Sequence, residues 1–424
     1  MHLVQRRTCR ICGSRELTPV IDLGLQHLQG SFVKPDEPAP PQRRIPCTLV
    51  RCDPTRDERA CGLLQMSHSV PPELLYSVYW YQSGTNQTMR SHLAGIAGEV
   101  RTLLGRETAT VLDIGCNDGT LLASYPATYT RIGVDPSDIA EEARRFGRVY
   151  RDLFPSVELG RDLGAQACDA VTSIAMFYDL EDPGRFCREV ARLLKPDGCW
   201  VFEMSYMPLM LEMNSYDTIC HEHLEYYSLA VIERLLLESG LKLFRVELNT
   251  INGGSLRCYA TPETNPGFRN ETWLGELREL RIREFDLALD TDAPYRSFQD
   301  RINLHREELV GLLKGLRASG KRIHLYGAST KGNTILQWCG IDGRLIEAAA
   351  DRNPRKHGAR TLGTDIPILS EAESRAMSPD YYLVLPWHFK EEFLEREAAM
   401  LDAGVGFIFP LPRVAVVRRE GTGQ

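Results

Sequence analysis

The stretch TVLDIGCNDGTLL, residues 110–122, predicts the fold of the central part of the chain. Its first five residues are an apolar, β-rich run that is typical of a strand buried on both faces. Gly115 and Gly119 bracket a sharp turn, and the residues after Gly119 begin a predicted helix. A strand, a glycine turn and a helix place backbone N–H groups at the carboxyl end of a parallel sheet, where open α/β sheets bind small ligands.

The chemistry of this turn favours a cation over a phosphate group. A dinucleotide-binding loop would need glycine where Asn117 stands, and Asp113 and Asp118 would repel a pyrophosphate. A second predicted strand, residues 131–135, ends in Asp135, a carboxylate placed to hold two ribose hydroxyls. S-Adenosylmethionine (SAM) lacks phosphate and carries a sulfonium and an ammonium, so we expect SAM here. An ordinary turn of another α/β domain is the alternative.

The composition is typical of a globular protein, and the length of the chain is sufficient for two or three domains. The chain has 424 residues, of which 43% are hydrophobic and 25% charged, and its net charge is −7 with no long basic run. Nucleic acid is therefore a poor candidate for a partner. No apolar stretch approaches the roughly twenty residues of a membrane span, and the N-terminus lacks the apolar core of a signal peptide. We expect a cytoplasmic protein without a membrane partner, either a monomer or a small homo-oligomer.

Four N-terminal cysteines form a candidate zinc site. Cys9 and Cys12 make a Cys-x-x-Cys pair, and Cys52 and Cys61 follow after a proline-rich stretch. Two pairs of thiolates can close a tetrahedral Zn²⁺ site that is structural, because four thiolates leave no open position for catalysis. The polar segment between the second pair would have to loop out. Cys47 is a competing fourth ligand, and unmetallated cysteines are the alternative.

A histidine-rich segment follows the strand predicted over residues 199–204. Its sequence, Cys220-His221-Glu222-His223, differs from His-Glu-x-x-His, so the two histidines would not share a helix face as zinc ligands do. A histidine can accept a proton at neutral pH, and a neighbouring carboxylate can hold its ring and tautomer. The segment is compatible with a general base and also with two structural histidines.

A second α/β unit begins near residue 322. Its first predicted strand leads into a glycine-bounded loop around Lys331, which could cradle an anion through backbone N–H groups and the lysine. The loop lacks the residue order of a Walker motif. Trp387, after a later strand, offers a stacking face, with simple packing as the alternative.

Taken together, these segments resemble the sugar C-methyltransferases that act on nucleotide-linked deoxysugars, over nearly the whole chain. The strings that carry the resemblance are Ser83-Gly84-Thr85-Asn86 with Thr88-Met89-Arg90, residues 217–223, Gly253-Gly254-Ser255, residues 327–334, Asp351-Arg352-Asn353-Pro354 and Pro386-Trp387. It implies an α/β protein: a class I, Rossmann-like methyltransferase domain between a small N-terminal zinc-binding domain and a C-terminal Rossmann-like α/β domain. The expected boundaries are 1–72, 73–260 and 261–424, with a helical linker opening the last domain.

The resemblance also implies a reaction. The substrate would be a nucleoside-diphosphate 4-keto-deoxysugar, dTDP-linked, with GDP and CDP as alternatives. A base would remove the hydrogen beside the ketone, at C3, and the enolate carbon would attack the methyl group of SAM. His223 would be the base, Glu222 would orient it, and Tyr81 would position the substrate or stabilise the enolate.

The predicted site residues follow from the motifs and the resemblance. The predicted catalytic residues are His223, Glu222, Tyr81 and His221. The predicted SAM-binding residues are Asp113, Gly115, Asn117, Asp118, Gly119, Asp135 and Ala175. The predicted substrate-binding residues are Ser83, Asn86, Met89, Arg90, Tyr226, Ser329, Lys331, Asn333 and Trp387. The predicted zinc ligands are Cys9, Cys12, Cys52 and Cys61.

Three departures from the family pattern, together with the widened gap between Cys52 and Cys61, leave the sugar, the stereochemistry and the methylated carbon open. Cys220 stands where many members have tyrosine, Asp179 where many have histidine, and His388 where many have asparagine. Other functions also remain open at this point. They are an NAD-dependent nucleotide-sugar oxidoreductase or epimerase, a non-enzymatic module that binds SAM and zinc, and a metallohydrolase centred on His221 and His223.

Overall fold

The computed structural model of the protein describes residues 3–76 and 80–419. The strands are β1 (Val4–Gln5), β2 (Leu17–Gln26), β3 (Phe32–Val33), β4 (Ile45–Cys52), β5 (Leu64–Met66), β6 (His68–Ser69), β7 (Thr110–Ile114), β8 (Thr130–Val134), β9 (Arg148–Tyr150), β10 (Cys168–Ile174), β11 (Leu194–Ser205), β12 (Glu225–Tyr226), β13 (Leu241–Asn249), β14 (Ser255–Pro262), β15 (Ile323–Tyr326), β16 (Ala349–Ala350), β17 (Arg360–Thr361), β18 (Ile368–Leu369), β19 (Tyr381–Val384), β20 (Gly406–Phe409) and β21 (Ala415–Val417).

The helices connect these strands and cover the sheets. They are α1 (Pro72–Tyr76), α2 (Gln87–Leu104), α3 (Thr120–Ser124), α4 (Ala140–Ala143), α5 (Val157–Leu163), α6 (Pro183–Leu193), α7 (Met207–Glu212), α8 (Leu229–Leu237), α9 (Glu271–Asp286), α10 (Ala293–Ala318), α11 (Thr330–Cys339), α12 (Glu371–Ala376), α13 (Lys390–Arg396) and α14 (Ala398–Asp402). Within residues 3–76 and 80–419, none of the helices combines the length and the apolar character needed to cross a lipid bilayer.

The central sheet has the strand order β13-β14-β11-β10-β7-β8-β9. Strand β14 runs antiparallel to both of its neighbours, whereas β11, β10, β7, β8 and β9 pair in parallel. Leu112 of β7 is paired with Val171 on one side and Ile132 on the other, and all three are buried. The carboxyl ends of β7, β8 and β10 therefore meet at one edge of the sheet. The predicted class I, Rossmann-like fold is confirmed.

The glycine turn after β7 is shaped by close contacts. The Gly115 N–H donates to the carbonyl of Val134 at 2.8 Å, which ties the turn to β8. Gly119 has a φ of 80°, and a Cβ there would lie 2.8 Å from the Cα of Ala143 on α4. Only glycine satisfies both the backbone conformation and this close approach.

The N-terminal part is a four-stranded sheet with the order β12-β5-β4-β2. Its edge strand β12 lies far along the chain, immediately after the histidine-rich segment, and pairs antiparallel with β5. Strand β3 pairs antiparallel with β17. The N-terminal sheet is thus completed by residues from the predicted central domain, and β3 joins the N-terminal part to the predicted C-terminal domain through a separate two-stranded sheet.

The C-terminal sheet has the order β18-β16-β15-β19-β20-β21, with β15 parallel to β16 and β19. The long helix α10 buries one face, through Tyr295, Phe298, Ile302, Leu309 and Leu313. This face packs against β2, α11 and α7, so one helix contacts all three parts of the chain. The N-terminal and C-terminal sheets share a single hydrophobic core.

Candidate active site

A cavity of about 510 Å³ lies where the three parts of the chain meet. Its lining includes Gly115 and Asp135 from the central sheet edge, His223 from the histidine-rich segment, Phe32 from the N-terminal part and Lys331 from the C-terminal part. The volume falls within the range of small-molecule sites.

One end of the cavity is formed by the carboxyl ends of β7, β8 and β10. Of the predicted SAM-binding residues, Asp113, Gly115, Asn117, Asp135 and Ala175 line it. One carboxylate oxygen of Asp135 accepts the Asn117 N–H at 2.9 Å, and the other accepts the Ser137 N–H at 2.8 Å. Asp113 accepts a hydrogen bond from Thr172 Oγ1 at 2.7 Å, and burial raises the pKa of Asp113 to about 7.

The donor set at this end fits SAM. Its lining includes the carboxyl groups of Asp113, Asp135 and Asp152, whereas the Lys and Arg residues that line the cavity all belong to the C-terminal part of the described chain. Carboxylates suit the ribose hydroxyls and the cationic groups of SAM, and they disfavour a dinucleotide pyrophosphate.

Two predicted SAM-binding residues do not line the cavity. Asp118 Oδ2 accepts the Gly84 N–H at 2.7 Å, and Gly119 packs against α4. Asn117 makes similar contacts, because its side chain accepts the Ser83 N–H at 3.0 Å and donates to the Tyr81 carbonyl at 3.1 Å. The turn after β7 therefore also holds the segment from Tyr81 to Gly84 in place.

That segment carries several predicted substrate residues. Ser83, Asn86 and Met89 line the cavity, and so does Tyr81, which was predicted as a catalytic residue. Arg90 does not, because its guanidinium donates instead to the carbonyl of Gly84 at the start of α2. Most of the motif residues therefore line the cavity, whereas Arg90 stabilises the turn before α2.

His223 is buried beside the cavity in a defined tautomer. Its Nδ1 donates to the carbonyl of Thr218 at 2.7 Å, which leaves Nε2 as the ring nitrogen with a free lone pair. Burial and the neighbouring Lys331 lower the pKa of His223 to about 3. The imidazole is therefore neutral at pH 7 and can accept a proton.

Glu222 and His221 have different surroundings. Glu222 lines the cavity, and burial raises its pKa to about 7. A Cβ on Gly30 would lie only 1.8 Å from Glu222 Oε1, so the carboxyl group rests directly on that glycine. His221 does not line the cavity. Its Nδ1 donates to Gln29 Oε1 at 2.7 Å, which makes His221 a link to the N-terminal part.

Two residues beside His223 were not predicted as site residues from the sequence. The ring of Tyr178 lies against that of His223, with the ring centroids 4.1 Å apart. Tyr178 and Asp179 both line the cavity, whereas the sequence had marked Asp179 only as a departure from the family pattern. Their position shortly after β10 is the signal that could have found them, since ligands bind at the carboxyl ends of parallel strands.

The opposite end of the cavity, formed by the C-terminal part, has more basic than acidic side chains, because four basic residues line it together with the carboxyl groups of Asp351 and Glu392. Ser329 and Lys331 line it, and Ser329 Oγ accepts the Gly332 N–H at 3.0 Å and so caps α11. Lys331 Nζ donates to the carbonyl of Asn252 at 2.9 Å, and burial lowers the pKa of this lysine. Further basic lining residues, which the sequence-based list missed, are Arg352, Lys356 and Arg396.

Three predicted substrate residues stand behind the cavity wall. Asn333 Nδ2 donates to the Gln29 carbonyl at 2.7 Å, and Trp387 Nε1 donates to Asp217 Oδ2 at 2.9 Å. The Tyr226 hydroxyl donates to the Thr218 carbonyl at 3.4 Å. Each of them buttresses the segment that carries His223 or the loop beneath it.

The four predicted zinc ligands come together. The Sγ atoms of Cys9, Cys12, Cys52 and Cys61 all lie within 4.8 Å of one another, as a tetrahedral Zn²⁺ site with Zn–S bonds of about 2.3 Å requires. The residues between the second pair form turns that bring the chain back to Cys61. Cys47 is buried elsewhere, with its Sγ 3.6 Å from the carbonyl of Ile219, and is excluded as the fourth ligand.

Three family models match successive parts of the chain. They are "Putative zinc binding domain" over residues 9–76, "Methyltransferase domain" over residues 89–246 and "C-methyltransferase C-terminal domain" over residues 250–412. The chain is 28% identical to C-methyltransferase NovU of Streptomyces niveus over 424 residues, which cover 98% of this chain and 97% of the relative.

Two solved methyltransferases are similar to part of the chain. Magnesium protoporphyrin IX methyltransferase (ChlM) of Synechocystis PCC 6803 with bound SAM is 14% identical, and the match covers 41% of this chain and 79% of that one with a TM-score of 0.32. The 1,6-didemethyltoxoflavin-N1-methyltransferase of Burkholderia thailandensis is 15% identical, with 41% and 80% covered and a TM-score of 0.33.

The zinc-ligand cluster, the central sheet order and the three successive family models agree with one another along the chain. The protein belongs to the SAM-dependent C-methyltransferases that combine a zinc-binding domain, a class I methyltransferase domain and the C-methyltransferase C-terminal domain.

Proposed function

We propose that the protein methylates the carbon beside the ketone of a nucleoside-diphosphate-linked 4-keto-deoxysugar, at C3 and with dTDP as the nucleotide. One observation carries this proposal: a single cavity is lined by the neutral imidazole of His223, by the carboxyl groups of the SAM end and by the basic residues of the C-terminal part. A base that shares its cavity with a methyl-donor site and an anion site suits a substrate that has an acidic C–H bond and carries a diphosphate.

His223 acts as the general base in this proposal. Its Nε2 takes the proton from the carbon beside the ketone, and the electron pair of that C–H bond moves toward the ketone oxygen. The Nδ1 bond to the Thr218 carbonyl stabilises the imidazolium that forms, because the donated hydrogen bond strengthens with positive charge. Bound SAM supplies the methyl group that the resulting carbon nucleophile accepts.

Lys331 couples substrate binding to the strength of the base. Its charge is one of the two causes of the low pKa of His223. A substrate diphosphate that pairs with Lys331 compensates this charge, and the basicity of His223 then rises when the substrate is in place.

The basic end supports the assignment of a nucleoside diphosphate. Lys331, Arg352, Lys356 and Arg396 line it together with the capped N-terminus of α11, and anions are favoured at such helix ends. The rings of Phe32 and Trp80, in edge-on contact at 5.5 Å between centroids, offer an apolar wall for a nucleobase.

The test is incubation of the protein with SAM and a panel of dTDP-, CDP- and GDP-linked 4-keto-6-deoxysugars in D₂O, followed by mass spectrometry. We expect one methyl group to be gained on a dTDP-linked sugar, with loss of the hydrogen beside the ketone. His223→Gln should lower kcat by about 10²–10⁴-fold. His68→Gln on β6, outside the cavity, is the matched control.

A second pair of variants tests the diphosphate assignment. Lys331→Met should raise the KM for the nucleotide sugar, whereas Lys314→Met, on the exposed side of α10, should leave it unchanged. An unchanged KM in Lys331→Met would reject the role of this lysine. Methylation of no panel sugar, by a protein that binds SAM, would reject the substrate class.

A further inference from the structure

The side chain of Tyr178 lies against His223, the proposed base. The side chain is buried, its ring contacts that of His223, and it lines the cavity. No hydrogen bond joins its hydroxyl to another residue of the described chain. The backbone of Tyr178 is also fixed, because its carbonyl accepts the Leu224 N–H at 2.7 Å and the Glu225 N–H at 3.1 Å. The hydroxyl is therefore held close to the reacting centre and free to bind a ligand.

Asp179 places a carboxyl group beside this phenol. It lines the same cavity, and its Oδ1 is buried without a hydrogen-bond partner among residues 3–76 and 80–419. The charged groups that face it are two carboxyl groups, those of Glu222 and Glu225. Arg10 lies 3.5 Å from Glu225, so that cation is already paired. Burial and the two carboxyl groups raise the pKa of Asp179 well above its usual range, which favours the neutral acid.

We propose that Tyr178 and Asp179 are catalytic residues that donate hydrogen bonds to the enolate oxygen formed when His223 removes the proton. This inference rests on the proposed function. A tyrosine hydroxyl together with a buried neutral carboxylic acid can stabilise an enolate oxygen, because both donors are fixed before the charge develops.

The proton-transfer step balances within these groups. The C–H bond beside the ketone breaks, and its proton passes to Nε2 of His223. Its electron pair forms the C=C bond of the enolate, and the π electrons of the ketone move onto its oxygen. Tyr178 and Asp179 keep their protons and donate hydrogen bonds to this oxygen, so neither residue changes its charge.

The test measures proton removal without methyl transfer. The nucleotide sugar that the wild-type protein methylates is incubated in D₂O with S-adenosylhomocysteine in place of SAM, and the rate of deuterium uptake is followed by mass spectrometry. Tyr178→Phe keeps the ring that packs on His223 and removes only the hydroxyl. We expect its exchange rate to fall by about 10²–10³-fold, as for the loss of one oxyanion donor.

Tyr227→Phe is the matched control. Tyr227 is also a buried tyrosine whose hydroxyl lacks a partner among the described residues, and it stacks on Phe177, but it does not line the cavity. Its exchange rate should stay at the wild-type value. Equal thermal unfolding and equal affinity for S-adenosylhomocysteine in the two variants would separate catalysis from structure.

Two variants of Asp179 test its charge. Asp179→Asn is neutral and can still donate a hydrogen bond, so we expect exchange within about threefold of wild type. Asp179→Leu cannot donate, and we expect a loss of about 10²-fold. An Asp179→Asn variant as slow as Asp179→Leu would overturn the role as a neutral donor.

The failure of this inference is distinguishable from that of the proposed function. If the wild-type protein neither methylates nor exchanges any sugar of the panel, the proposed function is rejected, and this inference falls with it. If the wild-type protein does both and Tyr178→Phe exchanges at the same rate, only the enolate-stabilising role is rejected.

Discussion

The contact between Gly30 and Glu222 predicts that Gly30→Ala impairs catalysis without unfolding the protein. The new Cβ would lie 1.8 Å from Glu222 Oε1 and 3.1 Å from its Cδ. Non-bonded heavy atoms prefer separations of about 3.5 Å or more, so the carboxyl oxygen must move by roughly 1.7 Å. The moving atoms are the end of a flexible side chain, and the φ of Gly30 is not positive, so alanine costs little in folding.

The expected magnitude follows from this displacement. A misplacement of about 1 Å in an active site can cost about 10²-fold in rate. If Glu222 orients the base and the substrate, Gly30→Ala should therefore lower kcat by about 10²-fold and leave the zinc content and the unfolding temperature near wild type. Steady-state methylation kinetics, metal analysis and thermal unfolding measure these three quantities.

The control is Gly311→Ala on α10. No atom lies within 4 Å of the Cβ that this change adds. Its activity should stay at the wild-type value, and its stability should rise by up to about 1 kcal/mol, because alanine favours the helix over glycine.

A double variant tests whether Gly30→Ala lowers kcat by displacing Glu222. If Gly30→Ala acts through Glu222, then adding it to Glu222→Gln should lower kcat much less than it does in the wild-type background. A Gly30→Ala variant with wild-type kcat would refute the positioning of Glu222. A large fall in the unfolding temperature would show that the backbone, and not the carboxyl group, had absorbed the clash.

Three further outcomes are expected. The pKa of His223 is about 3 in the folded protein, against an ordinary value of 6.5. Between these two pH values the unfolded chain binds a proton at His223 and the folded protein does not. The stability should therefore fall as the pH drops from 6.5 toward 3. Thermal unfolding across this range should show a weaker pH dependence for His223→Gln, and an unaltered dependence would contradict the low pKa. Cys9→Ser should lose zinc and destabilise the N-terminal part, whereas Cys47→Ala should retain one zinc ion per chain. Metal analysis of the two variants tests this, and a Cys47→Ala variant that loses zinc while Cys9→Ser keeps it would contradict the ligand assignment. Asp135→Ala should weaken SAM binding by about 10–100-fold, because hydrogen bonds to a charged group contribute about 1.5–3 kcal/mol. Titration calorimetry measures this, and unchanged affinity would remove Asp135 from the SAM site.

The sequence alone determined the local parts of this protein. The β7 strand, the glycine turn and α3 follow from an apolar run and two glycines, because a few neighbouring residues set their own backbone conformation. The Cys-x-x-Cys pair and the two later cysteines predicted the zinc-ligand cluster, since thiolate chemistry limits what such a set can bind.

Only the tertiary structure decided which motif residues reach the cavity. Asp118 lies in the best-defined motif of the chain, yet its carboxylate binds the Gly84 N–H. Asn333 and Trp387 belong to family strings but stand behind the wall, whereas Tyr178 belongs to none and lies against His223.

The physical reason is separation along the chain. Gln29 and His221 are 192 positions apart, and their hydrogen bond exists only because β12 adds to the N-terminal sheet and brings the base segment onto the loop before β3. A local pattern carries information on the conformation of its own backbone, but a contact across such a distance depends on how the three large sheets pack together.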